Sequence, residues 1–295
     1  MHRRALVLLA SLVLVAGCGG ASASVSDGPR IVATTTQLAD MARNVAPGAQ
    51  VTALLSANTD PHAYEVRPHD VKALARADVV LRSGGEVDEW LDGALDSAGV
   101  DEQDVVDAGA AAGFEGDDPH WWQDPRRAEK AVRAIGAALD RSGLPDESAR
   151  YAQRLRALDA AVARCLDQVP AAQRKLVTSH DALGYYARRY GIEVIGTVIP
   201  SLSTAAQPSA GEVTQLVDTI RRTGVTTIFA ESSVNPKVEQ AIAREAGARV
   251  GKALWADSLG PRGSDGETYI GSIGANTRAL ADGFSGGVVN CRVDA

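Results

Sequence analysis

Three histidines carry most of the chemistry this chain offers. His62 and His120 each close an Asp-Pro-His triplet, Asp60-Pro61-His62 and Asp118-Pro119-His120, and His180 sits in Thr178-Ser179-His180-Asp181. The chain has five histidines in all. His2 lies in a segment expected to be cut away, and His69, after Pro68 in the first turn of an expected helix, reads as solvated. The other three stand in loops just past expected strands. Imidazole is the commonest biological metal ligand. Three of them with one carboxylate make a closed tetrahedral site for a borderline-soft cation such as zinc.

The elements that must position them are short apolar strands alternating with helices of about ten residues. Strands are expected at 31–36, 51–55, 79–81, 105–106, 175–178, 194–199, 226–230 and 250–255. Helices are expected at 37–45, 68–77, 87–95, 128–141, 182–190, 209–222, 236–246 and 268–282. This alternation predicts an α/β fold with parallel sheets covered on both faces. From Asp146 to Gln168 no Gly or Pro intervenes, and Tyr151, Leu155, Leu158, Val162 and Cys165 form one apolar stripe. At 1.5 Å per residue this helix would run roughly 35 Å and join two lobes as a strut.

In open parallel sheets, ligands bind outside the carboxyl ends of the strands. His62 follows the 51–55 strand, His120 the 105–106 strand, His180 the 175–178 strand and Asp257 the 250–255 strand. Two come from each lobe, so all four converge if the lobes face each other. Asp60 and Asp118 are read as capping their own loops. Glu65 and Glu231 are candidate acceptors behind the imidazoles, where they would orient an N–H, and Glu231 is the alternative fourth ligand.

The bulk figures bound the rest. The chain has 295 residues, 45% hydrophobic, 23% charged and 4% aromatic, enough for two domains with cores of Ala, Val, Leu and Ile. A net charge of −7 without a basic cluster argues against nucleic acid. At the N-terminus, Arg3-Arg4 precede an apolar run from Ala5 to Ala16, the length of a signal-peptide core and short of a membrane span. Val15-Ala16-Gly17-Cys18 resembles a lipobox, with Val15 where leucine is more usual. The expected division is a leader at 1–17, a flexible tether at 18–29 beginning at lipidated Cys18, a first lobe at 30–145, a linking helix at 146–169 and a second lobe at 170–295. In an exported protein, Cys165 and Cys291 either pair in a disulfide or remain two buried thiols.

Five segments carry a family resemblance: Asp60-Pro61-His62-Ala63-Tyr64-Glu65, Asp118-Pro119-His120-Trp121-Trp122, Ser179-His180-Asp181-Ala182-Leu183-Gly184-Tyr185, Phe229-Ala230-Glu231-Ser232-Ser233 and Trp255-Ala256-Asp257-Ser258-Leu259. In this order and spacing the chain resembles the zinc/manganese-type substrate-binding lipoproteins of bacterial ABC importers, cluster A-I. The resemblance implies two α/β lobes joined by one rigid helix, with metal in the cleft on His62, His120, His180 and Asp257. It further implies a monomer lipid-anchored at the outer face of the cytoplasmic membrane, delivering its ion to an ABC permease driven by a cytoplasmic ATPase. Manganese-associated members usually carry glutamate where His180 stands, and three nitrogens with one oxygen suit zinc better than manganese. Many zinc members also have a His-rich loop between the first two ligands. Here the segment from Glu65 to Pro119 holds only His69.

Two other readings compete. A zinc hydrolase on the three histidines needs an open position for water, which Asp257 would close. No His-Glu-x-x-His, Gly-x-Ser-x-Gly or P-loop motif is present. A surface adhesin with a structural metal is the second.

Overall fold

The computed structural model describes residues 28–141 and 143–294. The expected leader, Cys18 and most of the tether lie outside them. The chain runs β1 (Arg30–Ala33), α1 (Thr36–Val45), β2 (Gln50–Ala53), α2 (Pro68–Leu74), β3 (Val79–Arg82), α3 (Leu91–Ala98), β4 (Val105–Asp107), α4 (Ala108–Ala112) and α5 (Pro125–Arg141). It continues through α6 (Ser148–Leu166), β5 (Lys175–Thr178), α7 (Gly184–Tyr190), β6 (Glu193–Thr197), α8 (Ala210–Thr223), β7 (Thr227–Ile228), α9 (Lys237–Ala246), β8 (Arg249–Val250) and α10 (Tyr269–Ser285).

The fold is α/β, with two parallel-sheet lobes. The first sheet has the order β2-β1-β3-β4, all parallel. In the second lobe β5 pairs with β6 and β7 with β8, again in parallel. A bridge between Thr178 and Phe229 joins the two pairs, giving the order β6-β5-β7-β8. The halves therefore repeat one topology, and both send the carboxyl ends of their strands toward a shared cleft.

α6 carries the expected stripe: Tyr151, Leu155, Leu158, Val162 and Cys165 are all buried. It is shorter than expected, at 19 residues, or about 28 Å. Asp146 delays its start, because its carboxylate accepts from the Ser148 N–H at 2.7 Å and forms the turn before the helix. Nor is α6 a bare strut. It packs along α5 and against α10, and one apolar core runs from Ile31 and Val79 through α6 to Leu176, Tyr186 and Phe229. Continuous burial of this kind is the main stabilising term.

Asp159 of α6 pins three helices. It accepts from Arg189 of α7 at 2.9 and 2.6 Å and from the Tyr190 hydroxyl at 3.0 Å, and Arg126 of α5 lies 3.0 Å away. Burial opposes its charge, but Arg189, the Tyr190 hydroxyl and Arg126 together outweigh burial and hold the Asp159 carboxyl below the usual carboxylate range. The Arg189 and Arg126 side chains are 36% and 49% exposed, so solvent weakens the pairing. Asp159→Ala is expected to cost about 1–2 kcal/mol, much of it from the orphaned Tyr190 hydroxyl. Urea denaturation measures this. The contribution is present at neutral pH and fades as acid protonates the carboxylate.

Besides α6, α4 is unexpected, β7 keeps only Thr227–Ile228, and two further elements depart from expectation. The helix expected at 87–95 is instead a single 3-10 turn, Gly85–Asp88, followed by α3. Asp88 folds back to accept from the Thr34 hydroxyl at 2.6 Å and from the Ser83 and Gly84 N–H groups at 2.6 and 2.9 Å, so local side-chain bonding displaces the first helical turn. β8 covers only Arg249–Val250, not 250–255. The chain rejoins the sheet at a bridge between Leu254 and Glu231, which carries the backbone on toward Asp257.

Candidate metal centre

Each of the four candidate side chains has its own local support. In the first lobe, Asp60 accepts from the His62 N–H at 3.0 Å and starts the one-turn 3-10 helix Pro61–Ala63. The second triplet repeats the device, with Asp118 accepting from the His120 N–H at 3.1 Å. Gly85 makes room for that turn: its φ is +68°, and a Cβ there would meet Pro119 Cβ at 2.8 Å. His180 leaves the end of β5, and Asp257 follows the Leu254 bridge.

The structure brings His62, His120, His180 and Asp257 together, one ligand-capable atom from each lying within 4.8 Å of the others. His120 and His180 are fully buried and the His62 side chain is 1% exposed. The spacing is informative. His180 Nε2 lies 3.3 Å from both His120 Nε2 and Asp257 Oδ2. Asp257 Oδ1 is 3.5 Å from His120 Nε2, and Oδ2 is 3.6 Å from His62 Nε2. Ligands on a tetrahedron with bonds of about 2.1 Å sit about 3.4 Å apart. These separations are long for hydrogen bonds. His62 Nε2 and both Asp257 oxygens have no hydrogen-bond partner. A buried carboxylate left this way costs several kcal/mol unless a cation compensates it.

Neighbours on the far side aim the rings. Asp118 Oδ1 lies 2.9 Å from His120 Nδ1, and Glu231 Oε1 lies 2.6 Å from His180 Nδ1. With each Nδ1–H donating outward, both Nε2 lone pairs face the common point. Glu231 accepts from the His180 N–H as well, and Ser179 ties it to Glu239: its hydroxyl donates to Glu239 at 2.6 Å and accepts from the Glu231 N–H. Burial strips water from His62 and lowers its pKa to about 4, against the pull of Asp257. Burial would also lower His180, but the Asp257 and Glu231 carboxylates outweigh it and lift the pKa to about 10.

Glu231 thus sits behind His180, not among the four. Glu65 is a correction: it is exposed, because the chain turns outward after Tyr64, whose hydroxyl bonds Asp70. Asp118 does the work expected of Glu65, and its place two residues before His120 was the signal for that role. His69 is exposed, beside Asp70. Sequence reasoning also missed the clamp on Asp257. Trp122 Nε1 and Gln123 Nε2 both donate to the Ala256 carbonyl, at 2.8 and 2.7 Å, and the Trp122 ring stacks edge-on against His120. Adjacent tryptophans in a chain poor in aromatics were the available clue. Cys165 and Cys291 form a disulfide, with Cα atoms 5.5 Å apart.

Known proteins resemble this chain over most of its length. The chain is 33% identical over 278 residues to the zinc-binding protein TroA of Treponema pallidum, covering 87% of this chain and 89% of that protein. It is 31% identical over 301 residues to the manganese-binding lipoprotein MntA of Bacillus subtilis, with 94% and 96% covered. The solved structure of the periplasmic zinc-binding protein TroA from Treponema pallidum matches with a TM-score of 0.78 at 28% identity, covering 87% of this chain and 99% of that one. These relatives are binding proteins, and this chain is likewise no enzyme. The family described as zinc-uptake complex component A, periplasmic, matches residues 31–283, and the chain belongs to that family.

Proposed function

We propose that this protein captures zinc outside the cytoplasmic membrane, on His62, His120, His180 and Asp257, and hands it to an ABC permease powered by a cytoplasmic ATPase. A substrate-binding protein of a metal ABC importer is the broad role. Zinc as the cargo, the monomer and a lipid anchor at Cys18 are the finer parts of the proposal.

The observation that carries it is the set of unpartnered Asp257 oxygens among three inward-facing imidazoles. The 3.3–3.6 Å spacing supports a four-coordinate ion. Manganese prefers more ligands and more oxygen.

Calorimetric competition tests this reading. Zinc is expected to displace manganese, and a protein that keeps manganese against equimolar zinc would overturn the assignment. The same titration has a proton signature. The Asp257 and Glu231 carboxylates favour a proton in the metal-free site around His180, and the ion must displace it. About one proton per zinc is expected in buffers of differing ionisation enthalpy, with affinity rising roughly tenfold per pH unit between about pH 6 and 8.

A further inference from the structure

The loop after β6 contributes no ligand, yet it touches both halves of the site. Its base runs beside the His180 turn: the Ile199 N–H donates to the Ser179 carbonyl at 2.7 Å, and the Asp181 N–H donates to the Ser201 carbonyl at 3.0 Å. Side-chain turns at Ser201 and Ser203 then fold the loop back and bring Thr204 to the other lobe. There the Thr204 hydroxyl donates to Asp60 Oδ2 at 2.6 Å, across 144 residues of chain. Thr204 is nearly buried, at 9% exposure, so water does not readily replace this bond. The other oxygen of the same carboxylate holds the His62 N–H. One carboxylate thus links the His62 turn to the loop anchored on the His180 turn.

The two first-lobe ligands are held across the cleft in unequal ways. The segment around His120 is fastened by the Trp122 and Gln123 bonds to Ala256, by the Tyr269 hydroxyl on the Trp122 carbonyl at 2.6 Å, and by the Tyr185 hydroxyl on the Asp118 carbonyl at 3.0 Å. The turn carrying His62 has the Thr204 bond and a main-chain bond from the Asn58 N–H to the Leu259 carbonyl at 2.9 Å. Thr204 therefore supplies the side-chain hold across the cleft on the less firmly fastened ligand.

We propose that Thr204 is a positioning residue, and that its hydrogen bond to Asp60 is a latch that keeps His62 on the ion and sets the rate at which the ion leaves. The proposal rests on the metal-binding reading above. Once the latch breaks, the His62 turn is free to withdraw while the other three ligands stay in place. A three-coordinate ion open on one side is then ready for transfer.

The test uses zinc alone, released from the loaded protein into excess chelator and followed by stopped flow. Thr204 is the site to change, because Asp60→Asn would also remove a charge beside the ion. Thr204→Val keeps the side-chain shape and removes the donor. Its zinc release is expected to be roughly tenfold faster, the size of one hydrogen bond to a charged group, with the association rate unchanged and the metal-free protein still folded, though it melts slightly earlier for want of the same bond. Thr204→Ser is expected to restore slow release. Release from Thr204→Val within about twofold of the unaltered protein would overturn the latch, as would equally fast release from the serine variant. Failure of the unaltered protein to take up zinc would instead sink the metal-binding reading, and the latch with it.

Discussion

Replacing His180 with alanine is expected to lower zinc affinity by roughly 100-fold or more while the protein stays folded. Four-ligand zinc sites bind with about 10–16 kcal/mol, so one ligand in four accounts for roughly two to three powers of ten. His180 is the ligand whose loss strips a fully buried partner, leaving Glu231 only the position-180 N–H, whereas Asp118 behind His120 reaches water. Without it the Glu231 carboxylate stays buried with neither oxygen facing an imidazole, while the Ser179 hydroxyl still serves the Glu231 N–H and Glu239. Glu231→Gln is the informative companion. It keeps the shape but weakens the hold on Nδ1, and outer partners of this kind are worth about 10–100-fold in affinity. His62→Ala removes the ligand at the less firmly fastened turn, so its effect should appear mainly as faster release. Calorimetry on the purified variants reads the affinities, and circular dichroism checks the fold. Zinc affinity unchanged in His180→Ala would rule out the four-ligand assignment.

Loss of the disulfide is expected to be the largest single blow to stability. Cys165 lies in the apolar stripe of α6, and Cys291 follows the end of α10, 126 residues later. The bond holds a tail without regular structure against the core, where Val293 is buried. Loop-entropy reasoning gives about 4.7 kcal/mol for a closed loop of about 100 residues, and native disulfides commonly contribute about 2–4 kcal/mol. The Cys165→Ser, Cys291→Ser double variant should therefore unfold in urea with about 2–4 kcal/mol less stability. Zinc affinity should change little, because neither cysteine touches the four ligands. A loss below about 1 kcal/mol would mean that packing of the tail, and not the cross-link, secures it.

Much of this molecule is legible before any coordinates, for identifiable reasons. Parallel strands buried on both faces write themselves as short apolar runs, so β1, β3 and β5 lie where Ile31, Val79 and Leu176 suggest. The α6 stripe is legible because helix periodicity over 19 residues leaves little ambiguity. The side chains that converge could be singled out because rare residue types stand at the ends of predicted strands. Other features depend on contacts that sequence spacing does not encode. Asp88 turns inward to Thr34, 54 positions away, and no periodicity announces that. Pairing of β8 stops after the Gly251 N–H donates to the Ile228 carbonyl, so Asp257 is carried by a single bridge at Leu254, not by a strand end. Glu65 and Asp118 were equally plausible partners for an imidazole on charge alone. The spacing of Asp118, two residues before His120, and the direction of the chain after Tyr64 separate them.

The apolar core that passes from the first sheet through α6 into the second lobe has a consequence for how cargo status is read. Halves fused through shared packing do not swing apart like jaws, because opening them would expose Trp122 and Tyr269, which meet across the lobes, to water. An empty and a loaded protein are therefore expected to share nearly the same silhouette. A transporter that accepts one and refuses the other must sense the order of the loops at the mouth of the cleft, not the overall outline.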